Sequence, residues 1–127
     1  MSTLVYVKIF NDILDQFLEQ LENDFHFLRA DISLTKTTVR LIRHGNPRMV
    51  VEGFMSYAGK YRQQIQDCDE DFFLDYKKNL KDSLTDETLM FSDKLKRVWT
   101  APDTTQVQKA MVFMYLQKLL KAGDRCS

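Results

Sequence analysis

A chain of 127 residues with 44% hydrophobic and 28% charged side chains is long enough to bury one core and too apolar to stay disordered. Eighteen basic side chains balance eighteen acidic ones, so the basic excess usual in nucleic-acid or membrane-surface proteins is missing. A net charge of zero also leaves little repulsion between molecules, which suits a protein that lives in an assembly.

No apolar run approaches the ~18 residues that span a bilayer. The start, MSTLVYVKIFNDILDQF, has no basic front and carries Asp12 and Asp15 where a leader peptide would still be apolar, so it reads as part of the fold. The two cysteines, Cys68 and Cys126, form no CxxC pair and read as reduced thiols of an intracellular protein. Four glycines and two prolines among abundant Leu, Met, Gln, Lys and Glu predict an all-α fold. The expectation is a compact bundle of five to six helices in a single domain over residues 1–127.

The first helix is expected from about Leu4 to Phe25. Phe10, Leu14, Phe17, Leu18, Leu21 and Phe25 recur at three- and four-residue steps, with Asp12, Asp15, Glu19 and Glu22 on the other side. The run NDFHFLRAD breaks this period and reads as a turn. A second helix is expected over about Ser33–Arg43, capped by Asp31 or Ser33. Its TKTTVRLI portion is rich in β-branched residues, so residues 33–43 fit a strand as well.

HGNP then punctuates the chain. Gly45 can take positive φ after a helix, Asn46 can cap the next one, and Pro47 fits its first position. A third helix follows over residues 47–68, with Val50, Phe54, Ala58, Tyr61, Ile65 and Cys68 as its apolar stripe and Val51 and Met55 widening it. Cys68 reads there as a small core residue, and close packing against a neighbour would account for Gly53 and Gly59 inside the helix.

Asp67, Asp69, Glu70 and Asp71 suit the start of a further helix, DEDFFLDYKKNLKD, with Phe72, Phe73, Tyr76 and Leu80 as its apolar side. SLTDETLMF reads as a loop or short turn, and Ser92 introduces the helical SDKLKRVW, which ends at Pro102. The last helix is expected over Val107–Lys121, capped by Asp103 or Thr104 and stopped by Gly123. Its middle is apolar on most sides, as a central or interface helix requires.

The string LIRHG at 41–45 resembles the active-site signature of histidine phosphatases and phosphoglycerate mutases. That likeness would imply His44 as nucleophile, with Arg40, Arg43 and Arg48 holding phosphoryl oxygens. In those enzymes the string ends the first strand of a parallel sheet and a second histidine follows. Here a helix precedes it and no histidine follows Gly45, so the string reads as a basic helix end. His26 beside Asp24 and Asp31, and the run DCDED at 67–71, lack metal-site spacing. No cofactor, metal or catalytic residue is expected.

Two basic groups remain. One is Lys36, Arg40, Arg43, His44 and Arg48. The other is Lys94, Lys96 and Arg97 with Trp99, together with Lys77, Lys78 and Lys81 upstream. Arg40, Arg43, Arg48, Lys96, Arg97 and Trp99 form the candidate interaction surface, with Trp99 as a stacking group if the partner is nucleic acid. Nine Phe, five Tyr and one Trp exceed what a small helical core needs, and large rings left outside anchor protein interfaces. The favoured reading is a non-enzymatic module that binds a protein partner or itself. The alternative is a small nucleic-acid-associated factor using the patches at Arg40/Arg43 and Lys96/Arg97. No membrane partner is expected.

The pattern VKIFNDILDQFLEQL, then NPRMVVEGFMSYAGKYRQQIQDCDEDFFL, then SLTDETLMFSDKLKRVW and a final YLQKLLKAG resembles a group of small helical proteins of nucleocytoplasmic large DNA viruses of protists and algae. Its markers are Asn46-Pro47-Arg48, the Asp-Glu…Phe-Phe segment at 69–73 and Trp99, and it covers most of the chain. None of these is a catalytic signature. The resemblance implies a virus-encoded protein of the host cytoplasm or virion, a component of capsid or replication-factory assembly.

Overall fold

The three- and four-residue spacing of apolar side chains at the start of the chain produces one 21-residue helix, α1 (Leu4–Asp24), in a computed structural model that describes residues 3–70 and 96–126. Val7, Phe10, Leu14, Phe17, Leu18 and Leu21 are buried along one face, while Asp12, Asp15 and Glu19 stay exposed. A single 3-10 turn, His26–Leu28, reverses the chain.

The segment with competing helix and strand readings is helical. α2 (Arg29–Gly45) begins four residues earlier than expected and runs two further. The β-branched run is accommodated because Thr35, Thr37 and Thr38 turn their hydroxyls back onto the carbonyls of Asp31, Ser33 and Leu34 at 3.0–3.2 Å. Neither Asp31 nor Ser33 caps the helix. The N-cap position is Leu28 and has no side-chain cap. Gly45 belongs to the helix and has no positive φ.

The Asn-Pro signal holds. Asn46 Oδ1 accepts from the Arg48 backbone N–H at 3.0 Å, and Pro47 opens α3 (Pro47–Ala58), where its missing N–H costs nothing. The single helix expected over 47–68 is instead interrupted. A 3-10 turn, Gly59–Tyr61, separates α3 from the short α4 (Arg62–Gln66). A Cβ at Gly53 or Gly59 would meet nothing within 4 Å, so close packing does not explain these glycines. Their effect is to weaken helix propensity, and the break falls at Gly59.

Cys68 lies beyond that break and is exposed, with φ 54°; it is no part of the apolar core. Its N–H bonds to Ile65 O at 3.3 Å and the Asp69 N–H bonds to Gln64 O at 2.9 Å. This is a Schellman helix end with cysteine at the left-handed position that glycine usually fills. The helix expected from Asp69 to Asp82, the SLTDETLMF turn and the Ser92 helix start lie in large part or wholly outside the described residues.

Residues 96–100 are helical. The final helix, α5 (Gln106–Asp124), is capped not by Asp103 or Thr104 but by Thr105. Thr105 Oγ1 accepts from the Gln108 N–H at 3.1 Å, and Gln108 Oε1 accepts from the Thr105 N–H at 2.9 Å, a reciprocal capping box. Gly123 does not stop the helix. It lies buried within it, where a Cβ would stand 2.9 Å from Met55 Cγ.

The described residues therefore make an all-α bundle with one shared core and no strand among them. α5 is its central member and packs on α1, α3 and α4. Phe17 stacks on Tyr115 (5.0 Å, 15°), Phe10 meets Phe54 edge-on (5.4 Å), and Trp99 meets Phe113 edge-on (5.3 Å). The apolar face of α5 is narrower than its sequence suggests. Val112, Phe113, Leu116, Leu119 and Leu120 are buried, while Val107 and Met114 are exposed.

Candidate interaction surface

The arginines singled out from sequence serve mainly as internal ties. Arg43 reaches from α2 to α1, with Nη2 on Asp15 Oδ1 at 2.8 Å and Nη1 on Asn11 O at 3.2 Å. Its side chain is only 17% exposed. Arg48 donates to Thr3 Oγ1 and to Cys126 O, joining both chain ends to the head of α3. Arg97 pairs with Asp31 at 2.7 Å and lies over the Phe27 ring. Arg40 is exposed, and Lys96 is half-buried.

Trp99, expected at an interaction surface, is 6% exposed. Its indole N–H donates to Glu70 Oε1 at 3.0 Å, so its ring serves the core rather than a base stack. The two basic groups are not brought together either. Asp31, which holds Arg97, and Arg43 are twelve residues apart on α2, or roughly 18 Å along the helix. Lys77, Lys78, Lys81 and Lys94 lie outside the described residues.

LIRHG ends a helix rather than a strand. Arg43 is turned onto α1 while His44 is exposed. His26 sits at the opposite end of α2, its Nδ1 2.9 Å from Arg29 Nη2. Among the described residues no three His, Cys, Asp or Glu side chains converge as a metal site. No helix of theirs is long and apolar enough to cross a membrane. Cys126 is half-buried, its thiol donating to Ala122 O at 3.4 Å. Burial raises its pKa, against a smaller lowering by Arg48.

The surface that sequence reading missed is the outer face of α2. Ile32 is fully buried and Val39 packs against the core, yet Leu34 and Leu41, seven residues apart, are 55% and 69% exposed. Ala30, Thr37 and His44 are exposed between and beyond them. Phe27, 50% exposed, continues the row into the preceding turn. Within α2, steps of four and three from 30 through 34, 37 and 41 to 44 make a heptad-like seam. The Thr37 hydroxyl is engaged by Ser33 O, so what it presents outward is chiefly its methyl group. The signal was in the sequence, but α2 is apolar on two faces and periodicity alone does not say which one is inside.

The ions around the seam are largely satisfied within the chain. Lys36 pairs with Glu22 at 3.2 Å, Arg43 with Asp15, and Asp31 with Arg97. Glu22 also accepts from the Ser33 hydroxyl at 2.6 Å, and that bond, with Lys36, lowers its pKa. On the far side of the bundle Arg62 forks onto Asp124 through two 2.8 Å bonds, which raises the Arg62 pKa and ties α4 to α5.

The class so defined is an all-α bundle, and among its exposed apolar side chains are Leu34 and Leu41 on the outer face of α2. Comparison with protein-family models, with curated proteins and with solved structures gives no match.

Proposed function

We propose that this chain is a non-enzymatic protein–protein interaction module of a larger assembly. The observation that carries this reading is the outer face of α2, where Leu34 and Leu41 stand in water at heptad spacing on a helix whose other face is already packed. Large apolar side chains aligned on one exposed helix face are what helix-to-helix recognition uses. The setting we propose follows the likeness to small helical proteins of large DNA viruses: a virus-encoded component acting in the host cytoplasm or the virion.

The nucleic-acid alternative draws less support. Arg43, Arg48 and Arg97 each direct one or two donors to Asp15, Asn11, Thr3, Cys126 and Asp31 of their own chain, and the Trp99 ring is packed on Phe113.

The test is affinity capture from the native cell with the tagged chain and with a Leu34→Glu/Leu41→Glu variant, each with and without nuclease. The interaction reading expects protein partners that survive nuclease and disappear with the variant. Partners lost on nuclease treatment favour the alternative, because phosphate contacts, not apolar packing, would then hold the complex.

A further inference from the structure

We propose that the outer face of α2 is a contact between two copies of this chain, packed antiparallel about a twofold axis. This deepens the interaction reading above by naming the partner.

The seam of Ala30, Leu34, Thr37, Leu41 and His44 on α2 is complementary to itself when two helices run in opposite directions. Antiparallel pairing sets the first heptad position of one helix against the fourth position of the other, so that each layer joins two different positions. With the axis between residues 35 and 36, Leu41 faces Ala30 of the second copy and Leu34 faces Thr37. Each of these layers sets a leucine against a smaller side chain. A parallel pairing would instead set like on like, so that Ala-on-Ala, Thr-on-Thr and His-on-His layers, small or polar, would separate the leucine layers. A twofold contact uses the same patch on both molecules, and self-complementarity of this kind is what closes a dimer.

The charges agree. At the flanks of the antiparallel seam Arg40 comes opposite Ser33, and Asp31 opposite Thr38, so no like charges meet. Lys36 and Arg43 lie off the seam and are held by Glu22 and Asp15 of their own chain. An acidic helix would need unpaired cations to answer it, and Arg40 is the one arginine on α2 with no internal partner among the described residues. A copy of the chain asks for no such excess, and its net charge of zero sets no long-range repulsion against association. The seam spans about 21 Å of helix, a small contact, so the dimer is expected to dissociate on dilution.

Sedimentation velocity on the purified full chain, from low micromolar to near-millimolar concentration, tests this. The expected result is a mass rising to twice the monomer's, with Leu34→Glu/Leu41→Glu remaining monomeric at the highest concentration. Both substituted side chains are exposed, and an unchanged circular dichroism spectrum and melting temperature confirm that the variant is folded. Direction is read by disulfide trapping in a Cys68→Ser/Cys126→Ser background. An Ala30→Cys chain should cross-link to a Leu41→Cys chain and not to itself.

A monomer at every concentration, a dimer untouched by the double substitution, or Ala30→Cys linking to itself would each overturn the proposal. A monomer that still captures a different protein through Leu34 and Leu41 overturns the self-contact and leaves the interaction reading standing. A monomer that captures nothing sinks both.

Discussion

The Trp99 indole donates a hydrogen bond to Glu70 Oε1 at 3.0 Å across 29 residues of sequence. Lys109 of α5 completes the group, with its ammonium 3.3 Å from the same carboxylate and 5.8 Å from the centre of the indole ring. Trp99 is thereby both a core side chain, edge-on to Phe113, and a polar link to the segment that follows α4. Trp99→Ala should cost about 3–5 kcal/mol, the usual range for emptying a large aromatic site. Trp99→Phe keeps most of the packing and loses the bond, so it should cost far less, about 1 kcal/mol for the bond itself. Urea unfolding followed by circular dichroism separates the two. As the only tryptophan, it should also emit at short wavelength when folded and shift to the red on unfolding. Emission already at the solvent-exposed position in the native protein would contradict its burial.

Cys68 occupies the left-handed position of a helix end, with φ 54°. For a side chain with a Cβ this conformation costs roughly 1–2 kcal/mol, and glycine escapes that cost while losing some entropy on folding. Cys68→Gly should therefore stabilise the protein by about 0.5–1 kcal/mol. Cys68→Val should destabilise it, since β-branching makes the same conformation worse. The measurement is the urea midpoint at constant slope. The thiols should also differ in reactivity. Exposed Cys68 should take up a maleimide well before half-buried Cys126, whose pKa burial raises, and peptide mapping by mass spectrometry reads the order directly.

What could be read from the letters depended on whether one local rule had a single outcome. Phe10, Phe17 and Leu21 on one side of α1 and Asn46-Pro47 at a helix start leave little choice, and both stand as expected. α2 was ambiguous because Ile32 and Val39 make one apolar face while Leu34 and Leu41 make another. Only the packing of α1 against the first face leaves the second in water. Cys68 was misplaced because a stripe was extended through Gly59 as if the helix were continuous, and one break rotates everything after it. Thr105 was missed as a cap because Asp103 and Thr104 are equally good candidates by type, and only the reciprocal bonds with Gln108 separate them. Residue type puts Trp99 outside, where the structure buries it, and says nothing of the bonds that Arg43, Arg48 and Arg97 make within the chain. Their partners, Glu70, Asp15, Thr3 and Asp31, come from distant sequence, which no local pattern reveals.

Glu22 gives the fold a defined sensitivity to acid. The Ser33 hydroxyl, then Lys36, hold its carboxyl below the ordinary value. A folded pKa beneath the unfolded value of about 4.3 means that the ionised form is favoured by folding. The contribution is fully present above that unfolded value and is lost as pH falls through the lower folded one. The carboxyl carbon of Glu22, followed by NMR, should titrate below the ordinary glutamate value, and Ser33→Ala should bring the midpoint up towards it. Glu22→Gln should flatten the fall of stability in that acid window without altering its course between pH 6 and 8. A Glu22 midpoint above the unfolded value would reverse the sign and exclude this link as a source of acid lability.

Gly123 and Met55 are coupled by space rather than charge. A methyl group at Gly123 would stand 2.9 Å from Met55 Cγ and closer still to its sulfur, so the thioether must move for alanine to enter. Against that, alanine is the better helix former by up to about 1 kcal/mol. Displacing a packed side chain costs about 1–3 kcal/mol, so Gly123→Ala should be net destabilising, by about 1 kcal/mol. Met55→Ala removes the obstacle, and in that background Gly123→Ala should turn stabilising, because only the helix preference remains. The two effects therefore differ in sign, and a double-mutant cycle should return a coupling within the 0.5–3 kcal/mol expected of residues in contact. Equal effects of Gly123→Ala in both backgrounds would mean that α3 and α5 do not meet at this point.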